Sequence, residues 1–193
     1  MKKLALVIIA GISFATANAQ FQFGAKGGLN FATVTGSDAG DVSTRVNINL
    51  GVYARLPLAE KISLQPELVY SNQGAGFDRG SIALNYLNIP ILLRYYAGSG
   101  FAIFTGPQVG FLLGAHYKYN GNSLNAKDSY NSGDFAWAVG LAYKIPSTKL
   151  GIDARYNFGI ANVEDRAHTG MTGSVRNDVF QLGVTYTLFS TGR

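Results

Sequence analysis

Charged side chains recur at alternating positions within segments that are otherwise apolar or small. They are Lys26, Arg45, Arg55, Glu67, Arg94, Lys144, Asp153 and Arg155. If these segments are strands, alternate side chains point to the same side, and the charges share one polar interior. Two acids among several bases in a narrow lumen must pair, because an isolated buried charge is very costly. Such a set fits an ion path or an anion site, but we favour a structural polar network that fills the lumen.

Catalytic side chains are scarce. The chain has only two histidines, His116 and His168. Ser123, Ser129 and Glu164 are the residues that could join them in a His–Ser–Glu hydrolase set of the kind that acts on envelope lipids. Their spacing matches no nucleophile motif, and no G-x-S-x-G is present. We therefore expect no enzyme and assign no catalytic residue.

Cofactor and metal motifs are also missing from the sequence. Asp38, Asp41, Asp128 and Asp134 form no D-x-D-x-D-G run, and we interpret them as solvated loop charges. The chain has no cysteine, which excludes disulfides and thiolate metal sites. FGAKGG at 23–28 contains no G-x-G-x-x-G that leads into a helix. We expect no cofactor, no metal and, because the basic excess is small and scattered, no nucleic acid.

The first residues have the features of an export signal. Lys2 and Lys3 precede an apolar run over 4–15, and Ala17-Asn18-Ala19 provides an A-x-A cleavage site. This pattern predicts a secretory signal peptide over 1–19, cleaved after Ala19, and export through the Sec pathway. An anchor helix is the alternative, although the run is short for a span. Residues 20–193 then form one domain.

The rest of the chain alternates with a period of two residues. In FAWAVGLAYKI at 135–145, the aromatic and branched residues share one face, and Ala, Gly and Lys share the other. This is the pattern of a strand with unlike faces. It predicts about eight strands, at roughly 21–34, 44–56, 61–77, 84–97, 100–117, 133–145, 149–161 and 175–189. No segment has a convincing helical period.

The apolar face is too bulky to point inward. The interior of an eight-stranded barrel is only just wide enough to be filled by side chains, so Gly, Ala, Ser, Asn and a few charges suit it better. The apolar face should therefore contact lipid. Charged residues make up 14% of the chain, below the value of about 25% for a soluble domain. The sheet must close, because an open edge in hydrocarbon costs several kcal/mol per unpaired group. A soluble lipocalin-like barrel, with the apolar face inward, is the rival.

The predicted connections alternate in length. Those at 57–60, 98–99 and 146–148 are tight, whereas 35–43, 78–83, 118–132 and 162–174 are mostly longer and rich in Gly, Ser, Asn and Asp. Short periplasmic turns and longer extracellular loops are typical of outer membrane barrels. The fold prediction is an all-β, transmembrane, antiparallel up-and-down β-barrel of about eight strands.

Several blocks resemble the PorT-like outer membrane β-barrel family of Gram-negative bacteria. They are FGAKGGLNFA at 23–32, ISLQPELVYSNQGAGF at 62–77, NYLNIPILLRYY at 85–96 and FTGPQVGFLL at 104–113. The resemblance implies a small outer membrane barrel but no single activity. Gln181, Gly183, Tyr186 and Leu188 also resemble the terminal signal read by the barrel assembly machinery, although the chain continues to Arg193.

These observations predict a monomeric outer membrane protein with a structural or binding role in the cell envelope. Its extracellular loops would carry any recognition of a ligand or partner, since loops on a rigid scaffold usually do. The expected partners are outer membrane lipids and, during insertion, the barrel assembly machinery. The alternatives are an accessory component of a protein secretion or assembly machine and, less favoured, a lipid-modifying enzyme.

Overall fold

The computed structural model describes residues 21–37, 42–77, 80–119, 122–164 and 173–191. Their strands are β1 (Gln22–Thr35), β2 (Ser43–Ala59), β3 (Ile62–Phe77), β4 (Gly80–Gly98), β5 (Phe101–Tyr119), β6 (Asn122–Asn125), β7 (Gly133–Lys144), β8 (Leu150–Gly159) and β9 (Arg176–Ser190). A single 3-10 turn, Lys127–Ser129, lies between β6 and β7. The predicted signal peptide lies outside the described residues.

The strands form one closed antiparallel ring. The sheet order is β4-β3-β2-β1-β9-β8-β7-β5-β6, and an additional β4–β5 pairing closes it. Because β6 pairs only with β5, it is an extension of one wall, and eight strands make the ring. This confirms the predicted all-β up-and-down barrel. Among the described residues, no helix is long and apolar enough to cross a membrane.

The two ends of the barrel differ in their connections. One end, which we name the short-turn end, carries the connections Glu60 and Lys61, Ser99 and Gly100, and 145–149, and β1 begins and β9 ends there. The long-loop end carries 36–42, 78–79, 120–132 and 160–175. One predicted boundary is wrong: β3 runs to Phe77 and β4 begins at Gly80, so 80–83 belong to a strand and not to the longer loop predicted at 78–83.

The turn between β4 and β5 has a backbone conformation that accounts for its glycines. Gly98, Ser99 and Gly100 have φ values of 103°, 50° and 86°. Three consecutive residues in this region favour glycine, because a Cβ atom there clashes with the backbone. The sequence therefore reverses direction between β4 and β5, the two longest strands, with a minimal connection.

Large apolar side chains cover the outside of the barrel. Ile103, Val139 and Leu141 are 51%, 46% and 60% exposed, while Ala102, Ala138 and Ala142, their neighbours along the strands, are buried. The apolar face thus points outward, as the sequence predicts. This is the arrangement of a barrel in lipid, and it excludes a lipocalin-like interior.

The polarity of the two faces reverses toward the long-loop end. Over the later part of β4, Leu87 and Ile91 point outward and Asn88 points inward. Over its first residues the pattern is the opposite, with polar side chains outside and apolar ones inside. The outward residues there are Ser81 and Asn85, and the inward ones are Ile82, Leu84 and Tyr86. On β5 a bulge near Leu113, opposite Asn85 and Tyr86, accompanies the change.

We name the two parts by these strands. The belt zone includes 87–95 of β4 and 101–113 of β5, and the rim zone includes 80–86 of β4 and 114–119 of β5. The belt zone is nine residues long on β4 and thirteen on β5, enough for the 9–11 residues that a tilted strand needs to cross a bilayer. The rim zone has an apolar inside and a more polar outside, which is how a protein arranges itself in water.

Candidate functional site

Four of the predicted charged residues meet in the middle of the lumen. Lys26 Nζ lies 3.2 Å from Glu67 Oε2 and 3.7 Å from Asp153 Oδ1. Arg155 donates two hydrogen bonds to Glu67, with Nη1 at 3.0 Å from Oε2 and Nη2 at 2.9 Å from Oε1. Arg155 Nε also lies 3.6 Å from Asp153 Oδ1. We name these four residues the central cluster; its two acids and two bases balance in charge.

The central cluster crosses the full width of the barrel. Glu67 is on β3 and Arg155 on β8, and these strands stand four places apart in the ring of eight. Their bidentate pair therefore joins opposite walls. All four side chains are nearly inaccessible to solvent. Gln65 adds a hydrogen bond from Nε2 to Glu67 Oε1 at 2.7 Å. The lumen is closed at this level.

Small residues on the neighbouring strands make room for the central cluster. Gly140 on β7 stands opposite both Phe104 and Arg155 in the strand register. A Cβ atom at Gly140 would come within 2.4 Å of the Phe104 ring. The guanidinium of Arg155 lies over this ring, 5.1 Å from its centroid. A glycine is thus required where the ring and the cation stack.

A layer of amide side chains lies next to the central cluster on its long-loop side. Asn30 is its hub: Nδ2 donates to Ser71 Oγ at 2.9 Å, and Oδ1 accepts from Asn49 at 2.6 Å and Gln181 at 2.8 Å. Asn177 and Gln73 form a further amide pair. Sequence reasoning missed this layer because it considered charges first, although amides at alternating strand positions were a usable signal.

The short-turn end of the lumen is basic. Arg55 donates to Gln65 Oε1 at 2.9 Å and to Gln22 Oε1 at 2.7 Å. Arg94 is buried, and its guanidinium lies over the Phe104 ring at 5.3 Å. Lys144 ends β7 beside the turn, and its side chain is exposed, so it lies outside the buried cluster.

The long-loop end is apolar inside. Its buried core consists of Ala75, Ile82, Leu84, Tyr86, Leu112 and Ala115. Next to it lies a cavity of about 150 Å³. Val34, Phe77 and Val175 line this cavity together with Tyr130 and Glu164, which form a β-bridge between two loops. Burial raises the pKa of Tyr130 to about 12, and the nearby Glu164 adds to this effect.

The remaining candidate residues are dispersed. Arg45 lies toward the long-loop end and donates to Asn72 Oδ1 and Gln73 O, both at 3.0 Å. His116 is exposed on β5, in register with Asn125 of β6. Ser123 is also exposed, on β6. Asp38, Asp41 and His168 lie outside the described residues.

One acid differs from its interpretation as a solvated charge. Asp134 is 7% exposed, because it begins β7 with its side chain inside the barrel, opposite Gly110 of β5. Within the described ranges, no group of three or more His, Cys, Asp or Glu residues is placed to hold a metal ion.

Comparisons with known proteins agree with this architecture. Neisserial surface protein A has a TM-score of 0.59 at 12% identity over 86% of this chain and 97% of its own. Ail, the attachment invasion locus protein of Yersinia pestis, has a TM-score of 0.55 at 16% identity over 86% and 98%. No curated protein sequence matches significantly.

A sequence-family comparison identifies the family itself. The family model described as "outer membrane protein beta-barrel domain" matches residues 14–165, well over half of the chain. At their low identities, the solved structures show a shared fold and no more. The protein is a small integral outer membrane protein, and the chain belongs to the outer membrane protein β-barrel domain family.

Proposed function

We propose that this protein binds a ligand or partner at its long-loop end and does not conduct solutes through its lumen. The observation that carries the proposal is the way the interior is filled. Ion pairs between opposite walls close the middle, whereas the described residues of the long-loop end line a mostly apolar cavity of about 150 Å³. By the usual asymmetry of such barrels, this end faces the cell exterior.

The closed middle supports the part of the proposal that concerns transport. A continuous water path would have to separate the bidentate pair of Arg155 and Glu67, which leaves buried charges unpaired. We expect the purified protein to give no steady single-channel current in planar bilayers. Regular current steps that scale with salt concentration would contradict this part.

The cavity supports the part that concerns binding. An engineered protein cavity of about 150 Å³ with an apolar lining stays dry and binds benzene or xenon. This cavity offers the same kind of lining in Val34, Phe77 and Ile82, with the polar groups of Tyr130 and Glu164 at one side. The proposed ligand therefore presents one small apolar or aromatic group to the cavity.

A titration with benzene tests binding directly. The protein is methyl-labelled in lipid nanodiscs, and NMR follows Ile82 and Leu84 in the cavity wall and Leu182 on the lipid face. We expect saturable shifts at Ile82 and Leu84, and only a linear solvent response at Leu182. Ala75→Leu fills part of the cavity and should remove the saturation. Linear responses at all three positions in the wild type would overturn the binding proposal.

Membership of the PorT-like branch of the family is also part of the proposal. Two of the four blocks that resemble the PorT-like family lie on β3 and β4, which pair with each other from Ile62 and Tyr95 to Phe77 and Gly80. We assign the chain to this branch on that resemblance. A role as an accessory component of a secretion or assembly machine is the second candidate. Partner proteins that co-purify from mildly solubilised membranes would favour it.

The proposal includes a monomer in contact with outer membrane lipids, inserted by the barrel assembly machinery. The strand that carries the resemblance to a terminal assembly signal is β9, which pairs with β1 over most of its length. This pairing joins the first and the last described strands of the ring. No catalytic step is part of the proposal.

A further inference from the structure

The short-turn end of the lumen holds more positive charge than its described neighbours neutralise. Arg55, Arg94, Lys144 and Lys149 surround one recess, and Asp153 is the acid that lines it. Asp153 already lies 3.7 Å from Lys26 and 3.6 Å from Arg155 in the central cluster. The recess therefore has a surplus of cations.

Arg94 is the least compensated of these cations. It is 6% exposed, and its Nε has no hydrogen-bond partner among the described residues. Its guanidinium contacts aromatic faces instead, 5.3 Å from the Phe104 centroid and 5.9 Å from that of Tyr96. Leaving a buried cation without a hydrogen-bonded anion is costly, and a bound anion would remove this cost.

The space beside Arg94 opens toward the turns. The recess has a volume of about 20 Å³, room for little more than one small group. A wider vestibule of about 250 Å³ shares Lys144, Lys149 and Thr187 with it. Thr187 also holds the hydroxyl of Tyr53 at 3.0 Å, which fixes one wall. The shape fits a ligand whose tip enters the recess and whose body stays in the vestibule.

We propose that this end of the barrel binds a small oxyanion of the phosphate class, either free or as a lipid headgroup. One oxygen would accept hydrogen bonds from Arg94 in the recess, because a guanidinium offers a planar set of donors that matches phosphate. Lys144 and Lys149 would contact the remaining oxygens in the vestibule. The site is independent of the cavity at the long-loop end, so either proposal can fail alone.

NMR on the wild-type protein provides the primary test. In dodecyl maltoside micelles, which contain no phosphate, the Nε–Hε resonance of Arg94 is followed during two separate titrations. One uses inorganic phosphate and the other a short-chain phosphatidylglycerol. A saturable shift with phosphate identifies a free anion, and one with the lipid alone identifies a headgroup. If both titrations leave the resonance unmoved, the proposal is wrong.

Variants assign the contacts. The variants are compared through the backbone amide resonances of Gly151 and Thr187 in the recess wall, because Arg94→Gln lacks the Arg94 side-chain signal. Arg94→Gln should weaken binding at least about tenfold, because a hydrogen bond to a charged group is lost. Lys149→Gln changes an exposed side chain of the vestibule and should weaken binding by a smaller factor. Arg45→Gln is the matched control at the opposite end and should leave the affinity unchanged. Equal affinities for the wild type and Lys149→Gln, together with a full response in Arg94→Gln, would contradict the assignment. Should Arg94→Gln fail to fold, the wild-type titration and Lys149→Gln still decide the outcome.

Discussion

The belt zone and the rim zone obey the same strand geometry with opposite polarity. In the belt zone, Leu87 and Val139 face outward, and the interior holds Glu67, Arg155 and the amides. In the rim zone, Ser81 faces outward, and the interior holds an apolar core around Leu84. Alternation along a strand therefore specifies two faces, but it does not specify which face is apolar.

The surrounding solvent explains the difference. In the belt zone, lipid covers the outside, and an apolar core is not needed to hold the barrel together. The closed ring of backbone hydrogen bonds does this instead, because an unpaired backbone group in hydrocarbon is costly. Its interior can then consist of ion pairs and amides. In the rim zone, water surrounds the wall, and the strands need an apolar core as in any soluble protein. The reversal near Leu113 thus locates the boundary of the hydrocarbon on the long-loop side.

The largest expected effect comes from the interior of the belt zone. Glu67→Ala leaves Lys26 and Arg155 as buried cations whose remaining acidic partner among the described residues is Asp153. Removal of one partner from a buried ion pair typically costs about 3–5 kcal/mol. Urea unfolding in lipid vesicles should show this loss, while Glu60→Ala in an exposed turn should show none. A loss below about 1 kcal/mol would mean that the central cluster is not what closes the belt zone.

The interior of the rim zone should behave like a soluble core. Leu84 is fully buried, so Leu84→Ala should cost about 2–5 kcal/mol, the usual range for a cavity-forming change. Leu182→Ala on the lipid face should cost much less, since mobile acyl chains fill the space and no cavity forms. The same unfolding assay compares the two variants. Equal losses would remove the distinction between the two zones.

A charge placed on the outside should destabilise the belt zone and leave the rim zone unaffected. Val139 is 46% exposed near the middle of β7, and Val139→Arg should cost about 2–4 kcal/mol and impair insertion. Ser81→Arg places the same side chain on the outside of the rim zone, where water solvates it at little cost. Refolding yields into vesicles, together with heat-modifiable gel shifts, measure both variants. Normal insertion of Val139→Arg would argue against a lipid-covered belt zone.

Strand positions follow from the sequence because they depend on local alternation. The outward orientation of the apolar face in the belt zone follows from the bulk of its side chains, which a barrel of eight strands cannot hold inside. The pairing of Glu67 with Arg155 across the lumen does not follow from the sequence, since it depends on strand tilt and register around the whole ring. The rim zone also extends further along β4 than the sequence pattern predicts. Strand β4 begins at Gly80 rather than at the predicted position 84, because the reversed polarity of its faces there hides the pattern of a lipid-facing strand. The burial of Asp134 likewise depends on its position inside the closed barrel and not on the residues next to it in the sequence.

Cysteine labelling along β5 locates the boundary with little effect on stability. The chain has no cysteine, so each variant carries a single thiol in an otherwise unchanged protein. His116→Cys and Lys118→Cys lie on the water-exposed rim zone and should react with a membrane-impermeant maleimide in intact cells. Phe111→Cys and Leu113→Cys face lipid and should stay unlabelled until the protein is unfolded. Each exposed substitution should change the free energy of unfolding by less than about 0.5 kcal/mol. Because reagent reaches the rim zone only from the long-loop side, labelling also tests whether that end faces the exterior; reaction at Phe111 would place the boundary closer to the short turns.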